Sequence, residues 1–200
     1  YQDIDKVPWQ ESEIDIVIDS SGVSKNLQLS RGLKGSVKKV IVTNSPDPKL
    51  VDNEIIFGVN HNSYDEEKNF LIASSICDAT AISPIIKLIS EKFTLQNGFL
   101  TTLHPWLGYQ NLLDGPSKSY AVPGEIFDNY ALGRSSAMSL IPKNTSAISA
   151  TCKVLPQIKD IFISNSYRVP TNIVSSADIV MHINEKTSLR ASARTLYSWF

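Results

Sequence analysis

The sequence predicts a mixed chain, α/β in its first part and α+β in its second, and three observations lead there. Short apolar runs broken by Gly, Pro and Asn recur over the first sixty residues, one long segment repeats its apolar residues at helix spacing, and β-rich runs dominate the remainder of the chain. Ile14–Ile18, Val37–Val42 and Glu54–Val59 read as short strands. The apolar run ending at Ala73 reads as a further strand that hands over to a helix at Cys77. From Ala81 to Phe93 the apolar residues recur at helix spacing, and Pro84 is placed near the start, where a missing N–H costs least. Strands are expected at Phe99–His104, Ile161–Val169, Ala177–Ile183 and Thr195–Phe200. Gly108–Gly133 carries Gly, Pro, Ser and Asn without periodicity and reads as a long functional loop. Thr145 is placed to cap an apolar helical stretch from Ala147 to Leu155.

Composition narrows the function classes. With 200 residues and 42% apolar content, the chain has enough material for a substantial core and no stretch apolar enough to span a membrane. A formal charge of −1 without a basic cluster argues against nucleic acid as a partner. Two cysteines, Cys77 and Cys152, fit a reduced, cytoplasmic protein better than a disulfide scaffold. His61, His104 and His182 are scattered and neither cysteine belongs to a close ligand pair, so no metal site is expected.

Cys77 is the candidate nucleophile. In Ala73-Ser-Ser-Ile-Cys-Asp-Ala-Thr-Ala-Ile-Ser-Pro84 it closes a strand and opens a helix, where unpaired N–H donors and the positive dipole end favour a thiolate. His104, near the end of a β-rich run, is the candidate base. A cysteine before a helix is also often just a small buried hydrophobe, so spacing alone leaves both readings open.

Seven segments, in order along the chain, add wording to spacing. They are Asp15-Ile-Val-Ile-Asp-Ser-Ser-Gly22, Gly58-Val-Asn-His61, Ser75-Ile-Cys-Asp-Ala-Thr80, Thr101-Thr-Leu-His104 with Gln110 and Asp114-Gly-Pro116, Gly133-Arg-Ser-Ser136, Ile141-Pro-Lys-Asn-Thr145, and Tyr167-Arg-Val-Pro-Thr171. Together they resemble the glyceraldehyde-3-phosphate dehydrogenase family. The resemblance implies the C-terminal part of a Rossmann-like NAD-binding domain over residues 1–76, then a catalytic domain over 77–200 with a largely antiparallel or mixed sheet. It implies an NAD-dependent oxidation of glyceraldehyde 3-phosphate, or a related phosphorylated aldehyde, through a thiohemiacetal and thioester on Cys77 to an acyl phosphate. His104 would move the proton, and Thr145, Arg134, Arg168 and Asp78 would lie in the substrate and phosphate site. Ser20, Ser21, Gly22 and Thr43 would face the cofactor. Inorganic phosphate is the implied second substrate and a homotetramer the implied assembly. Each arginine alternatively serves as an ordinary surface or structural ion-pair residue, and capping by Thr145 is compatible with anion binding.

The departures from the family pattern bear on substrate. Ile76 and Asp78 stand where the family usually has Ser and Thr beside the nucleophile, Leu107 and Tyr109 where it commonly has threonines, and Ser146 where it has Gly. Ile76 donates only from its backbone, while Asp78 brings a negative charge that repels phosphate and opposes a thiolate, unless it turns outward to cap its own helix. A remodelled anion pocket is expected, in an erythrose-4-phosphate dehydrogenase-like paralogue or in a non-catalytic interaction protein derived from the family. No Gly-rich phosphate turn is visible, and Asn184-Glu-Lys-Thr-Ser-Leu189 runs almost directly into Thr195-Leu-Tyr-Ser-Trp-Phe200, as if by an internal deletion near 189–195. From these gaps the isolated chain is expected to bind NAD poorly.

Overall fold

A computed structural model describes residues 4–11, 13–33, 37–118, 126–127, 130–188 and 190. Two compact units result, one of residues 1–94, 149–159 and 186–200 and the other of residues 95–148 and 160–185.

In the first unit, β1 (Ile16–Asp19), β2 (Lys39–Val42), β3 (Asn53–Glu54) and β4 (Leu71–Ala73) form an all-parallel sheet in the order β1-β2-β4-β3. Val17, Val40, Val42, Leu71 and Ala73 bury one side of it with Leu27 from α1 (Ser24–Ser30), as strands covered by helices require. Because every strand points the same way, all four C-terminal ends reach one edge, where Asp19, Val42, Ala73 and Glu54 stand in one row.

The expected strand Glu54–Val59 is corrected: pairing stops at Glu54 and residues 57–60 turn. Turn chemistry wins over β propensity there. The Asn60 side-chain oxygen accepts from the Ile56 N–H at 2.9 Å, His61 Nδ1 accepts from the Gly58 N–H at 3.1 Å, and Gly58 takes φ +83°, which a side chain would strain. After β4, α2 (Cys77–Lys92) begins four residues before the periodic run. Its buried residues Ala79, Ile82, Ser83, Ile86 and Ile89 follow i, i+3, i+4 spacing. Pro84 consequently lies inside the helix and leaves the Thr80 carbonyl without its helical donor. Lys87 Nζ donates to the carbonyls of Gly58 and Val59 at 3.0 and 2.9 Å and pins the helix to the turn.

Asp52 ties the opposite end of the sheet together. Its carboxylate accepts from the backbone of Phe70 and Leu71 at 2.9 and 2.8 Å and pairs with Arg31 at 2.9 Å. Partial burial works to raise its pKa, but the Leu71 N–H and the Arg31 guanidinium outweigh it and hold the carboxyl below its ordinary value. A folded-state pKa below the unfolded one stabilises the fold above the unfolded value, about 3.9, and the contribution is lost as pH falls through the folded value. The thermal midpoint should therefore fall as the pH is lowered below about 4, and Asp52→Asn should flatten that acid limb. An acid limb unchanged in Asp52→Asn would refute the linkage.

The second unit holds a mixed sheet in the order β10-β5-β9-β8, built from β5 (Leu95–Pro105), β8 (Ile141–Lys143), β9 (Phe162–Val169) and β10 (Ser176–Ile183). Its outer pairings, β10 with β5 and β8 with β9, are antiparallel, and the central β5–β9 pairing is parallel. The α/β then α+β class holds, with the mixed sheet in the second part of the chain. Burial alternates along β5: Gly98, Leu100, Thr102 and His104 face inward, and Phe99, Thr101 and Leu103 face outward. Gly98 is required by its cross-strand neighbour, since a Cβ there would lie 2.2 Å from the Phe162 ring. Thr102 and Ser166 hydroxyls bond across the same inner face at 2.9 Å. The long 108–133 segment is less featureless than expected. Among its described residues are the paired two-residue strands β6 (Ser117–Lys118) and β7 (Ile126–Phe127) and the single turn α3 (Tyr130–Gly133). The helix α4 (Ala147–Val154) starts after Thr145, whose Oγ1 accepts from the Ala147 N–H at 3.1 Å. The strand expected at Thr195–Phe200 and the expected deletion near 189–195 lie outside the described residues, apart from Arg190.

Candidate active site

Several candidates stand along one edge of the parallel sheet. Ser20, Ser21 and Gly22 follow β1, Thr43 follows β2, and Cys77 opens α2 after β4. The turn after β1 is built from its own polar groups: the Ser21 N–H donates to Asp19 Oδ1 at 2.9 Å, and Ser21 Oγ accepts from Asn26 Nδ2 at 3.0 Å. Gly22 takes φ +68° with open space where a Cβ would stand, and the Thr43 N–H donates to the Asp19 carbonyl at 3.1 Å. The C-terminal edge of a parallel sheet is where such folds seat their ligands.

Cys77 is exposed and is the first residue of a 16-residue helix whose N-cap residue, Ile76, makes no side-chain capping bond. The step from strand to helix is tight. Ser75 takes φ +66° while buried, and its hydroxyl oxygen makes no hydrogen bond. A non-glycine residue in the left-handed region costs on the order of 1 kcal/mol or more, and such strain clusters at functional turns. Asp78 stays beside the thiol, its Oδ1 accepting from Cys77 Sγ at 3.9 Å.

A second group has no counterpart in the sequence reading. Glu54 is buried in the row that ends the parallel strands, and Lys153 Nζ reaches it at 3.3 Å. The same ammonium donates to Ser45 Oγ at 2.7 Å and to the Pro46 carbonyl, and Ser45 Oγ donates to Glu54 Oε2 at 2.9 Å. Nothing in the local sequence couples residues about a hundred positions apart, and only the fold reveals the pair.

In the second unit, register sets the surroundings of His104. The β5–β9 pairing places it opposite Arg168, whose guanidinium donates to the Pro105 carbonyl at 2.9 Å. His104 is buried, and its Nδ1 lies 3.2 Å from Ser175 Oγ. Arg134 is exposed and paired with Asp114 at 3.5 Å, and the Ser135 N–H donates to the same carboxylate at 2.8 Å. Just past His104 a cavity of about 420 Å³ is lined by Trp106, Leu107, Gly108, Gln110, Leu112, Ser136 and Asn172, with no cationic side chain among them. Gln110 is buried, and its amide nitrogen donates to the carbonyls of Ala131 and Arg134, which leaves Oε1 without a partner. The structure thus gathers Ser20, Ser21, Gly22, Thr43, Cys77 and Asp78 on one edge of the first unit, and His104 and Arg168 side by side in the second. Among the described residues no group of three His, Cys, Asp or Glu side chains forms a metal site, and no helix is long and apolar enough to cross a membrane.

Comparison with known proteins decides the family. Residues 76–196 match the model of the glyceraldehyde 3-phosphate dehydrogenase C-terminal domain. The chain belongs to the glyceraldehyde 3-phosphate dehydrogenase family. Glyceraldehyde-3-phosphate dehydrogenase 1 of Bacillus cereus is 30% identical over 92% of this chain and 52% of its own length. Glyceraldehyde-3-phosphate dehydrogenase 2 of Trichormus variabilis is 32% identical over 92% of the chain and 51% of its own length, and the cytosolic enzyme of Chlamydomonas reinhardtii 32% over 93% and 51%. The chain spans about half the length of the curated relatives it matches.

Proposed function

We propose that this chain supplies the catalytic part of an NAD-dependent, phosphorylating aldehyde dehydrogenase of the glycolytic type, acting in the cytoplasm. The observation that carries the proposal is Cys77, exposed at the first turn of α2 on the sheet edge that also presents Ser20, Ser21, Gly22 and Thr43. Its sulfur attacks the aldehyde carbon of glyceraldehyde 3-phosphate or a related phosphorylated aldehyde, and His104 takes the proton. Loss of hydride from the resulting thiohemiacetal carbon, and of its hydroxyl proton, would leave a Cys77 thioester, which inorganic phosphate opens to give the acyl phosphate and return the thiolate. Arg168, Arg134 and Thr145 hold phosphate oxygens, for which a planar guanidinium offers paired donors. The parallel strand ends and the open space at Gly22 suit NAD, which Ser20, Ser21, Gly22 and Thr43 would hold. Bound there, NAD supplies the hydride acceptor. In this reading residues 1–76 serve the cofactor and 77–200 the chemistry.

The uncharged cavity beyond His104 and the pairing of Arg134 with Asp114 favour a second reading, a paralogue taking another aldehyde such as erythrose 4-phosphate, or a non-catalytic interaction protein. NADH formation by the complete protein, with each aldehyde and with or without inorganic phosphate, separates the readings. Phosphate-dependent turnover lost in Cys77→Ser supports the dehydrogenase. No turnover with either aldehyde moves the assignment to a non-catalytic role.

A homotetramer belongs to the same proposal. The outward face of the mixed sheet carries a row of Val180, Phe99 and Ile163 across three strands, with Val180 60% and Ile163 67% exposed. A continuous apolar row on a sheet face is an interface in search of a partner, and a second copy is the partner the family implies. Ile163→Asp should therefore shift the sedimentation coefficient of the complete protein to a smaller species. An unchanged assembly would show that this face is not an interface.

A further inference from the structure

We propose that Ser175 is a positioning residue that fixes the tautomer of His104, accepting a hydrogen bond from Nδ1–H so that the lone pair stands on Nε2. The inference rests on His104 serving as the proton acceptor for Cys77, and it names the group that makes the imidazole fit for that task. Which ring nitrogen of a histidine carries the proton is set by the hydrogen bond the other nitrogen makes. His104 is buried, so bulk water competes little for that role.

Strand register explains why Ser175 is the partner. In the antiparallel β10–β5 pairing Ser176 stands opposite Leu103, so Ser175, one residue earlier, comes opposite His104, one residue later. Ser175 Oγ accordingly lies 3.2 Å from Nδ1. On the other side of His104 the β5–β9 register places Arg168, a guanidinium with donors only, which cannot accept the ring proton. Of these two neighbours in the row, Ser175 alone has a side-chain oxygen for it.

The backbone before Ser175 adds an independent observation. Val174 takes φ +72°, a conformation that β-branched residues avoid, yet the residue is 77% exposed and Ile173 76%. Side-chain packing of these two residues therefore does not explain the conformation. Its effect is to turn the chain into β10 with Ser175 at His104.

The test is the ¹⁵N spectrum of the imidazoles in the full chain near neutral pH, with the His104 signals assigned by their loss in His104→Asn. The expected result is an Nδ1–H tautomer for His104 that shifts toward Nε2–H in Ser175→Ala and returns in Ser175→Thr. Val174→Gly, which relieves the backbone and keeps the hydroxyl, should keep the Nδ1–H form. Iodoacetamide alkylation of Cys77 should slow several-fold in Ser175→Ala and recover in Ser175→Thr. An Nε2–H tautomer in the wild type, or a tautomer indifferent to Ser175→Ala, would overturn the inference. If the tautomer responds to Ser175 but alkylation ignores His104→Asn, then Ser175 keeps its role and His104 loses its place as the base.

Discussion

Replacing Lys153 with methionine should destabilise the protein by about 3–5 kcal/mol, the range for removing one member of a buried ion pair. The reason is the carboxylate left behind. Glu54 is only 7% exposed, its Oε1 has no partner, and its Oε2 relies on Lys153 and on Ser45, itself bonded to the same ammonium. Without the ammonium the charge must stay buried or take up a proton, and either outcome weakens the fold against a total stability on the order of 5–15 kcal/mol. The pair need not be strongly stabilising in itself, because desolvating two charges offsets much of their attraction. A double variant, Lys153→Met with Glu54→Gln, separates the two effects. It should recover a large part of the loss in the urea midpoint, since a neutral amide tolerates the site better than an orphaned carboxylate. A Lys153→Met protein with an unchanged midpoint, or a double variant worse than the sum of the single ones, would show that Glu54 is already relieved by some other group.

That ion pair marks the boundary of what the residues disclose in order along the chain. Local patterns indicate the helix opened by Cys77, the second half of β5, and β9 and β10 to within a residue, because burial on one face imprints a period on the sequence. They misplaced Glu54–Val59, where Ile56 and Val59 are buried by a turn and Phe57 is 85% exposed, so an apolar run lacked the pairing that makes a strand. They passed over α1, whose Ser-Lys-Asn-Leu-Gln-Leu-Ser offers one buried leucine and no apolar stripe, and β8, three residues with Pro142 on a sheet edge. The site divides in the same way. Cys77, His104 and Arg168 are candidates on wording alone, whereas the contacts of Lys153 with Glu54 and of Ser175 with His104 arise from register and long-range packing.

Asp78 is where a single residue most directly tests the proposed chemistry. Its carboxylate oxygen lies 3.9 Å from the Cys77 sulfur at a helix start that otherwise favours negative charge on sulfur. Two unit charges about 4 Å apart repel by about 1 kcal/mol in water and about 4 kcal/mol at an effective dielectric near 20. Cys77 is exposed, so solvent screening places the effect toward the lower figure. Asp78→Asn should therefore speed alkylation of Cys77 by iodoacetamide about fivefold near neutral pH, since about 1 kcal/mol is a factor of roughly five. Phosphate is the more sensitive probe, because it arrives with more charge and must displace its own water. In the complete protein the same variant should lower the phosphate KM by about tenfold or more, the repulsion expected of an anion approaching this carboxylate. The two readouts fail independently. Faster alkylation with an unchanged phosphate KM would mean that phosphate approaches the thioester from a side that Asp78 does not face, and the repulsion argument for a changed substrate would fall. No change in either would mean that Asp78 acts only as a first-turn acid of α2, worth about 0.3–1 kcal/mol to the helix, and that the residue beside the nucleophile is not what sets this protein apart from its relatives.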